Sequence, residues 1–178
     1  MKGVRLMAAA ALALASGGGC LYDSEQSLPA NIKRIAVPAM KNETSIFQLD
    51  TDLTEATRAK FLIDGRLQVV DPDQMPQAEL SCGVVQYAKE PAAFDQQTNR
   101  VQHWRLRLQV KMLCTDLSTK AVIWREPADV QPVPFETTTE YYEPGNAQGM
   151  VAGTEEASRK TLVDEMARRI VRRTIDGW

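Results

Sequence analysis

One strongly alternating stretch, Val101 to Cys114, constrains what this chain can fold into more than any other part of the sequence. Its even-numbered positions from 104 onward are apolar: Trp104, Leu106, Leu108, Val110, Met112 and Cys114. Its odd-numbered positions are mostly polar or basic: His103, Arg105, Arg107, Gln109, Lys111 and, as the exception, Leu113. Successive side chains of a β-strand point to opposite faces of the sheet. The stretch is therefore predicted to be a long strand of an antiparallel sheet that is covered on one side only.

The rest of the chain supplies shorter strands and two helices. Strands are predicted at Ile32–Val37, Leu67–Val70, Ala78–Tyr87 and Ala121–Arg125. One helix is predicted from Asp50 or Thr51 to Gly65, with a partial apolar stripe of Leu49, Leu53, Ala56, Phe61 and Ile63. A second is predicted over Thr154–Ile175, where Leu162, Met166 and Ile170 recur at helical spacing and the arginines near its end form a solvated face. Residues 126–153 contain four prolines and three glycines and are predicted to be mostly irregular.

Two amphipathic helices need an apolar surface, and the even-numbered face of the central strand offers one. The predicted fold is an α+β two-layer sandwich, with both helices on one face of a mixed, mostly antiparallel sheet of four to five strands. A chain of 178 residues that is 44% hydrophobic is ordinary for one domain with a sizeable core. We assign residues 32–178 to this single domain.

The first twenty residues have the pattern of an export signal. Lys2 and Arg5 precede an apolar stretch that is too short to cross a bilayer stably, and small residues then lead to Cys20. This order resembles a bacterial lipoprotein signal, in which the cysteine is lipidated, although Gly17 stands where such signals usually carry an aliphatic residue. Residues 1–19 are predicted to be the signal peptide and residues 20–31 a lipidated N-terminus and tether. The alternative is cleavage after Ala15, which would leave a soluble periplasmic protein.

Enzymatic and nucleic-acid-binding functions are disfavoured by the residues that the sequence lacks. The one histidine is His103, and no Cys, His or Glu cluster has metal-ligand spacing. The sequence contains no glycine-rich phosphate loop and no nucleophile beside an evident base. A net charge of −2 and an aromatic content of 6% argue against a nucleic-acid partner. We therefore expect no enzymatic activity and no cofactor.

Cys82 and Cys114 are predicted to lie on the apolar faces of adjacent strands. A hairpin centred near residue 98 would place them directly opposite each other, where a slightly strained disulfide is possible in an oxidising compartment. The alternative is a pair of buried, reduced cysteines that act as small apolar side chains.

Several strings of the sequence, taken together and in order, resemble the LptE family of lipopolysaccharide-assembly lipoproteins. They are Ile32–Pro38 with Asn42–Thr44, Asp64–Val70, the hairpin Asp116–Trp124, and Ile170–Arg173 ahead of the terminal Gly177–Trp178. The resemblance implies two helices on one face of a four-stranded sheet. It also implies a lipid anchor at the periplasmic face of the outer membrane, and a role as the plug that supports the LptD β-barrel in lipopolysaccharide delivery. Envelope lipoproteins of the CsgG-like secretion-channel and penicillin-binding-protein-activator kinds share the first string and are the alternative.

The basic row of the central strand, Arg105, Arg107 and Lys111, is the candidate contact site. It spans about 20 Å on the face opposite the helices. Guanidinium groups are well suited to phosphates. Our hypothesis is that the row contacts lipid A phosphates or acidic groups that line the LptD barrel. The alternative is a solvated sheet face paired with carboxylates such as Glu79 of the next strand.

Replacing Cys20 with alanine should abolish membrane anchoring, because this side chain is the predicted acylation point and buried acyl methylenes supply the membrane affinity. The variant should incorporate no labelled palmitate and should move from the membrane fraction to the soluble periplasmic fraction. Cys82→Ala is the matched control, since it leaves the predicted signal intact. Labelling and membrane retention that survive Cys20→Ala would contradict lipidation at this residue.

Overall fold

The structure is a computed structural model, and it describes residues 28–94, 96–97, 99–129, 133–143 and 153–177. The predicted signal peptide and Cys20 lie outside the described residues, as does part of the segment 126–153. The helices are α1 (Leu49–Asp64) and α2 (Glu155–Asp176), with a short 3-10 helix at Pro72–Gln74. The strands are β1 (Arg34–Ala36), β2 (Lys41–Asn42), β3 (Gln68–Val70), β4 (Ala78–Phe94), β5 (Val101–Asp116), β6 (Val122–Glu126) and β7 (Phe135–Tyr142).

These strands form one open, mixed sheet. Its order is β3-β1-β4-β5-β6, with β2 beside β4 and β7 beside β5. The short strands β1, β2 and β3 pair in parallel, whereas the long β4 and β5 pair with each other, and β5 pairs with β6 and β7, in antiparallel fashion. The predicted α+β sandwich with a mixed, mostly antiparallel sheet is confirmed. The sheet has more strands than the four to five expected, because β2 and β7 lie in segments for which the sequence predicts no strand.

The core lies between β5 and the two helices, as the alternation of β5 predicts. Leu106 and Leu108 are fully buried, and Val110, Met112 and Cys114 continue the buried row. Both helices supply apolar side chains to the same cluster: Leu49, Leu53 and Phe61 from α1, and Leu162, Met166 and Ile170 from α2. Trp104, at the far end of the row, is only partly buried.

Helix α1 differs from its prediction at both ends. It begins at Leu49 rather than at Asp50 or Thr51, after Gln48 in the left-handed region (φ 61°), and no side chain caps it. Near its other end, Ile63 is 78% exposed rather than part of the buried stripe. Residues Thr54 and Thr57 are buried instead, and the Thr54 hydroxyl accepts a hydrogen bond from the Met40 backbone at 3.0 Å. A threonine that bonds to the backbone can occupy a core position that hydropathy alone assigns to solvent.

Helix α2 agrees with its prediction in extent, but Arg173 does not lie on a solvated face. The Thr154 side chain caps the helix by accepting from the Ala157 backbone N–H at 3.2 Å. Arg173 is 6% exposed, its Nε donates to Glu126 Oε1 at 2.7 Å, and its guanidinium lies 4.6 Å from the ring centroid of Trp124. This buried ion pair joins the last turns of α2 to β6.

Strand β7 corrects the prediction that residues 126–153 are mostly irregular. It pairs with β5 over eight positions, from Val110↔Phe135 to His103↔Tyr142. Its sequence is Phe-Glu-Thr-Thr-Thr-Glu-Tyr-Tyr, in which β-branched and aromatic residues favour a strand. The prolines that flank this stretch favour irregular structure, so the sequence pattern did not predict the strand between them.

The cysteines are not opposite each other, so the geometry on which the disulfide prediction rested was wrong. The register pairs Leu80 with Cys114 and Cys82 with Met112. The pairing Ala93↔His103 does have the predicted hairpin centre, but irregularities between there and Val84 shift the register by two residues. Diagonal neighbours have separations of about 7–8 Å, longer than the roughly 3.5–4.5 Å between Cβ atoms of a disulfide. Both thiols are free and buried in the structure.

Burial should make both thiols unreactive in the folded protein. Desolvation raises the pKa of Cys82 to about 12 and the pKa of Cys114 to about 12. At pH 8 only about one thiol in ten thousand would then be the reactive thiolate. In a chain carrying Cys20→Ala, iodoacetamide should modify neither cysteine before unfolding in urea and both afterwards, as read by intact mass. No modification after unfolding would reveal a disulfide, and modification of the folded chain would show that the thiols are accessible.

The Arg173–Glu126 pair should contribute much more to stability than the exposed ion pairs. Replacing Arg173 with methionine should lower the free energy of unfolding by about 3 kcal/mol, because Glu126, only 19% exposed, would lose its partner. Arg168→Met is the matched control: Arg168 is 51% exposed, and its loss should cost less than about 1 kcal/mol. Urea denaturation measures both values, and equal losses from the two variants would show that the buried pair has no special weight.

Candidate functional site

The three residues of the predicted basic row lie on the sheet face opposite the helices, which we call the outer face. Their side chains alternate along β5 with the buried apolar row. Arg105 and Lys111 are exposed, and Arg107 is half-buried. The structure therefore brings the three bases to one surface, and the question becomes what each of them contacts.

Arg105 forms an ion pair with Glu140 of β7, the residue directly opposite it. The Arg105 guanidinium Nη2 lies 2.7 Å from Glu140 Oε1, and Nε donates to the same oxygen at 2.8 Å. His103 Nε2 lies 2.8 Å from the other Glu140 oxygen, and its ring stacks on Tyr142 at 4.1 Å. Hydrogen bonding from Arg105 is the main reason that the pKa of Glu140 lies below its usual value. This end of the row is thus occupied by an internal carboxylate.

Arg107 is also paired, with Glu90 of β4 at 3.0 Å. The neighbouring Gln109 side chain donates to Glu136 of β7 at 2.8 Å. The partner suggested by the sequence, Glu79, instead accepts a hydrogen bond from the Ser81 hydroxyl at 2.9 Å. The true partners were missed because β7 and the second half of β4 were not predicted. The alternation of Glu136, Thr138, Glu140 and Tyr142 was the signal that could have revealed them.

Lys111 forms an ion pair with Glu43, which lies in the loop after β2. The stem of the lysine passes over Gly83 of β4: a Cβ atom at position 83 would lie 3.1 Å from Lys111 Cε. The glycine therefore leaves room for the lysine to cross β4 toward Glu43, and a larger residue would require the lysine stem to shift slightly. Both members of the pair are about half exposed.

A surface cleft of about 500 Å³ opens beside Lys111, where the partner of β5 changes from β7 to β6. Three bases line it, Lys41, Lys111 and Arg125, together with apolar side chains that include Leu113. Arg125 pairs only loosely with the exposed Asp129, at 3.2 Å. Lys41 makes no ion pair with any residue that the structure describes. We call this site the Lys111 cleft.

The Lys111 cleft can accept an anionic group more readily than the rest of the row. Exposed ion pairs contribute only about 0–1 kcal/mol, so Lys111 and Arg125 can exchange their carboxylates for another anion at small cost. Charge-assisted hydrogen bonds from such bases to phosphate or carboxylate oxygens are among the stronger polar contacts. Arg105, by contrast, makes two hydrogen bonds to one carboxylate that His103 also approaches.

Two kinds of feature are absent from the described residues. No group of three or more His, Cys, Asp or Glu side chains within them could hold a metal ion. None of the helices in that part of the chain is both long enough and apolar enough to cross a membrane.

The structure is similar to several solved structures at low sequence identity. One is the hypothetical protein CT253 of Chlamydia trachomatis, with a TM-score of 0.56 and 8% identity, covering 80% of this chain and 95% of that one. Another is a minor lipoprotein of Acinetobacter baumannii, with a TM-score of 0.48 and 15% identity, covering 80% and 91%. A third is the uncharacterized lipoprotein B of Nitrosomonas europaea, with a TM-score of 0.47 and 17% identity, covering 88% and 90%. The likeness to the Chlamydia protein concerns the fold alone.

Comparison with curated protein sequences finds no match. A family model does match: LptE, described as lipopolysaccharide-assembly, over residues 32–174. The matched range contains all seven strands, α1 and nearly all of α2. This is also the family that the strings at Ile32–Pro38, Asp64–Val70 and Asp116–Trp124 resemble. The chain therefore belongs to the LptE family of lipopolysaccharide-assembly proteins.

Proposed function

We propose that this protein is a lipid-anchored outer-membrane lipoprotein that plugs the LptD β-barrel and assists delivery of lipopolysaccharide to the cell surface. The observation that carries the proposal is the family match over residues 32–174, which covers nearly the whole folded domain. The lipoprotein-like signal ending at Cys20 would place the domain at the periplasmic face of that membrane.

The outer face has the character that a plug surface needs. The interior of a membrane β-barrel is polar, so a plug must offer hydrogen-bonding groups without a large uncompensated charge. Arg105 and Arg107 meet this need, because each is paired with a glutamate of a neighbouring strand. These paired side chains can still donate and accept hydrogen bonds at their exposed edges. We therefore assign the Arg105–Arg107 part of the row to contact with the barrel wall.

The Lys111 cleft is the better candidate for contact with an anionic group of lipopolysaccharide. It collects three bases around one opening, together with the carboxylates of Glu126 and Asp129, and Lys41 among these bases makes no ion pair with a described residue. Phosphates on the lipid portion supply the matching charge, and the apolar wall at Leu113 can lie beside nonpolar parts of the same molecule. The hypothesis thus divides the predicted row into two functional parts.

Lysine and arginine replacements can separate these two parts. A Lys41→Gln, Lys111→Gln, Arg125→Gln variant should bind fluorescent lipopolysaccharide about tenfold more weakly at low salt, a loss of about 1.4 kcal/mol. The difference should shrink at high salt, where screening already suppresses the contact. Arg105→Gln, Arg107→Gln is the matched control and should bind nearly as the parent does. Both variants should melt within a few degrees of the parent, since exposed charges contribute little to stability.

Equal losses from the two variants would show that the Lys111 cleft is not a distinct site. Parent-like binding by both would remove the whole row from lipopolysaccharide contact. The barrel partner needs a separate measurement, namely affinity purification of the full chain from detergent-solubilised outer membrane. Co-purification of LptD is the expected result. Recovery of a secretion channel or a cell-wall synthase in its place would support the alternative classes of envelope lipoprotein.

A further inference from the structure

The seam between the two helices carries a second surface that the proposed function does not use. The helices lie side by side and run in the same direction. A cavity of about 720 Å³ lies between their N-terminal turns, and a cavity of about 480 Å³ lies between their C-terminal turns. A salt bridge between Lys60 of α1 and Asp164 of α2, at 2.6 Å, crosses the seam between these two cavities. We call the two parts the upper and lower groove.

The two parts of the groove carry opposite charge. The charged lining of the upper groove comprises Asp52, Glu55, Glu156, Asp164, Arg159 and Lys160, a net charge of −2. That of the lower groove comprises Lys60, Arg66, Arg168, Arg172, Asp64 and Asp176, a net charge of +2. Among the residues described, Asp52, Glu55 and Glu156 have no ion-pair partner within the chain. Their carboxylates are available to a second molecule.

The floor of the groove is apolar along its length. In the upper groove it is formed by alanines of both helices and by Val163, and in the lower groove by Ile63 and Val171. Ala56, Ala59 and Ile63 follow the helical repeat along the groove side of α1, and Ala56 also packs against the main core. Ile63 is 78% exposed, and the adjacent Leu62 is 81% exposed. Val163 and Val171 are buried beneath the groove, whereas the fold of the single chain leaves Ile63 exposed to water at its edge.

We propose that a second copy of this chain covers the groove. A two-fold axis perpendicular to the helices would reverse one copy against the other. The upper groove of each copy would then face the lower groove of its partner, so that opposite charges meet twice and the apolar floors meet between them. Parallel alignment would instead set like charges against each other, so the charge pattern selects the antiparallel pair.

The surface is large enough for a weak dimer. Helix α2 has 22 residues and is about 33 Å long, and two neighbouring helices are together about 20 Å wide. Helix α1 has only 16 residues and is about 24 Å long, so packing two such faces buries roughly 1,100 Å², just below the range for standard specific interfaces. The association is therefore sensitive to concentration and salt. The proposed dimer is formed by the free protein, before any binding to a barrel. It can therefore be tested independently of the proposed function.

Charge reversal provides the test. Full chains bearing two different affinity tags are mixed in detergent at low salt, and co-purification is measured. Parent chains should co-purify, and Asp52→Lys, Glu55→Lys chains should not co-purify with each other, because both parts of their groove are positive. Arg168→Glu, Arg172→Glu chains should likewise fail, because both parts are negative. A mixture of the two variants should restore co-purification, since each positive half then meets a negative half.

The restored mixture also controls for folding and for shared detergent micelles. Unfolded variants would not recover a partner, and micelle sharing would not depend on the sign of the groove. Arg105→Gln, Arg107→Gln, on the opposite side of the molecule, should co-purify as the parent does. Absence of co-purification between parent chains, or failure of the variant mixture to restore it, would overturn the proposal.

Discussion

The whole structure depends on the burial of one row of side chains, the even-numbered residues of β5, beneath two helices. Leu106, Leu108 and Val110 lie at the centre of a cluster to which both helices contribute. Each fully buried aliphatic side chain of this kind stabilises the fold by roughly 1.5–3 kcal/mol relative to an exposed one. Because neighbouring side chains on a strand point in opposite directions, burying this row forces the odd-numbered residues of β5 onto the other face. The core and the outer face are therefore two consequences of a single strand.

The outer face carries a row of basic residues without a strong positive electrostatic field. Two strands and a loop contribute glutamates that pair with these bases one by one: Glu90 from β4, Glu140 from β7 and Glu43 from the loop after β2. The helix side is built differently: the Lys60–Asp164 pair crosses the groove, but the net charge is negative in the upper groove and positive in the lower groove. A surface whose charges are paired locally can contact many polar partners, whereas a surface whose charges are separated along an axis favours one orientation of its partner. The two sides of this protein are thus suited to different kinds of contact, even though the chain as a whole carries a net charge of only −2.

Features that repeat over several residues could be predicted from the sequence, whereas features that depend on a single contact could not. The period of two in β5 extends over several residue pairs, and the helical spacing of Leu162, Met166 and Ile170 extends over several turns. Both elements and the fold class could therefore be predicted from the sequence. The register at Cys114 depends on irregularities near Pro91 and Val84, which side-chain alternation does not record. The candidate site was half predictable for the same reason: alternation placed the bases on one face, but their partners come from β7 and from the far half of β4. Arg173 was misassigned because the spacing of helix arginines cannot show that Glu126 and Trp124 lie beneath one of them.

The change of partner along β5 has a consequence for how members of this family can diverge. Strands β6 and β7 share the same edge of β5 and are each held by their own pairs, which end at Met112↔Glu126 and Val110↔Phe135. In the segment that joins them, the described residues 127–129 and 133–134 make no pair with β5, so a change in the length of this segment would leave both sets of pairs in place. Insertions there would alter the rim of the Lys111 cleft while leaving the buried row of β5 untouched. The shape of the Lys111 cleft can therefore change during evolution without a change in the stability of the domain.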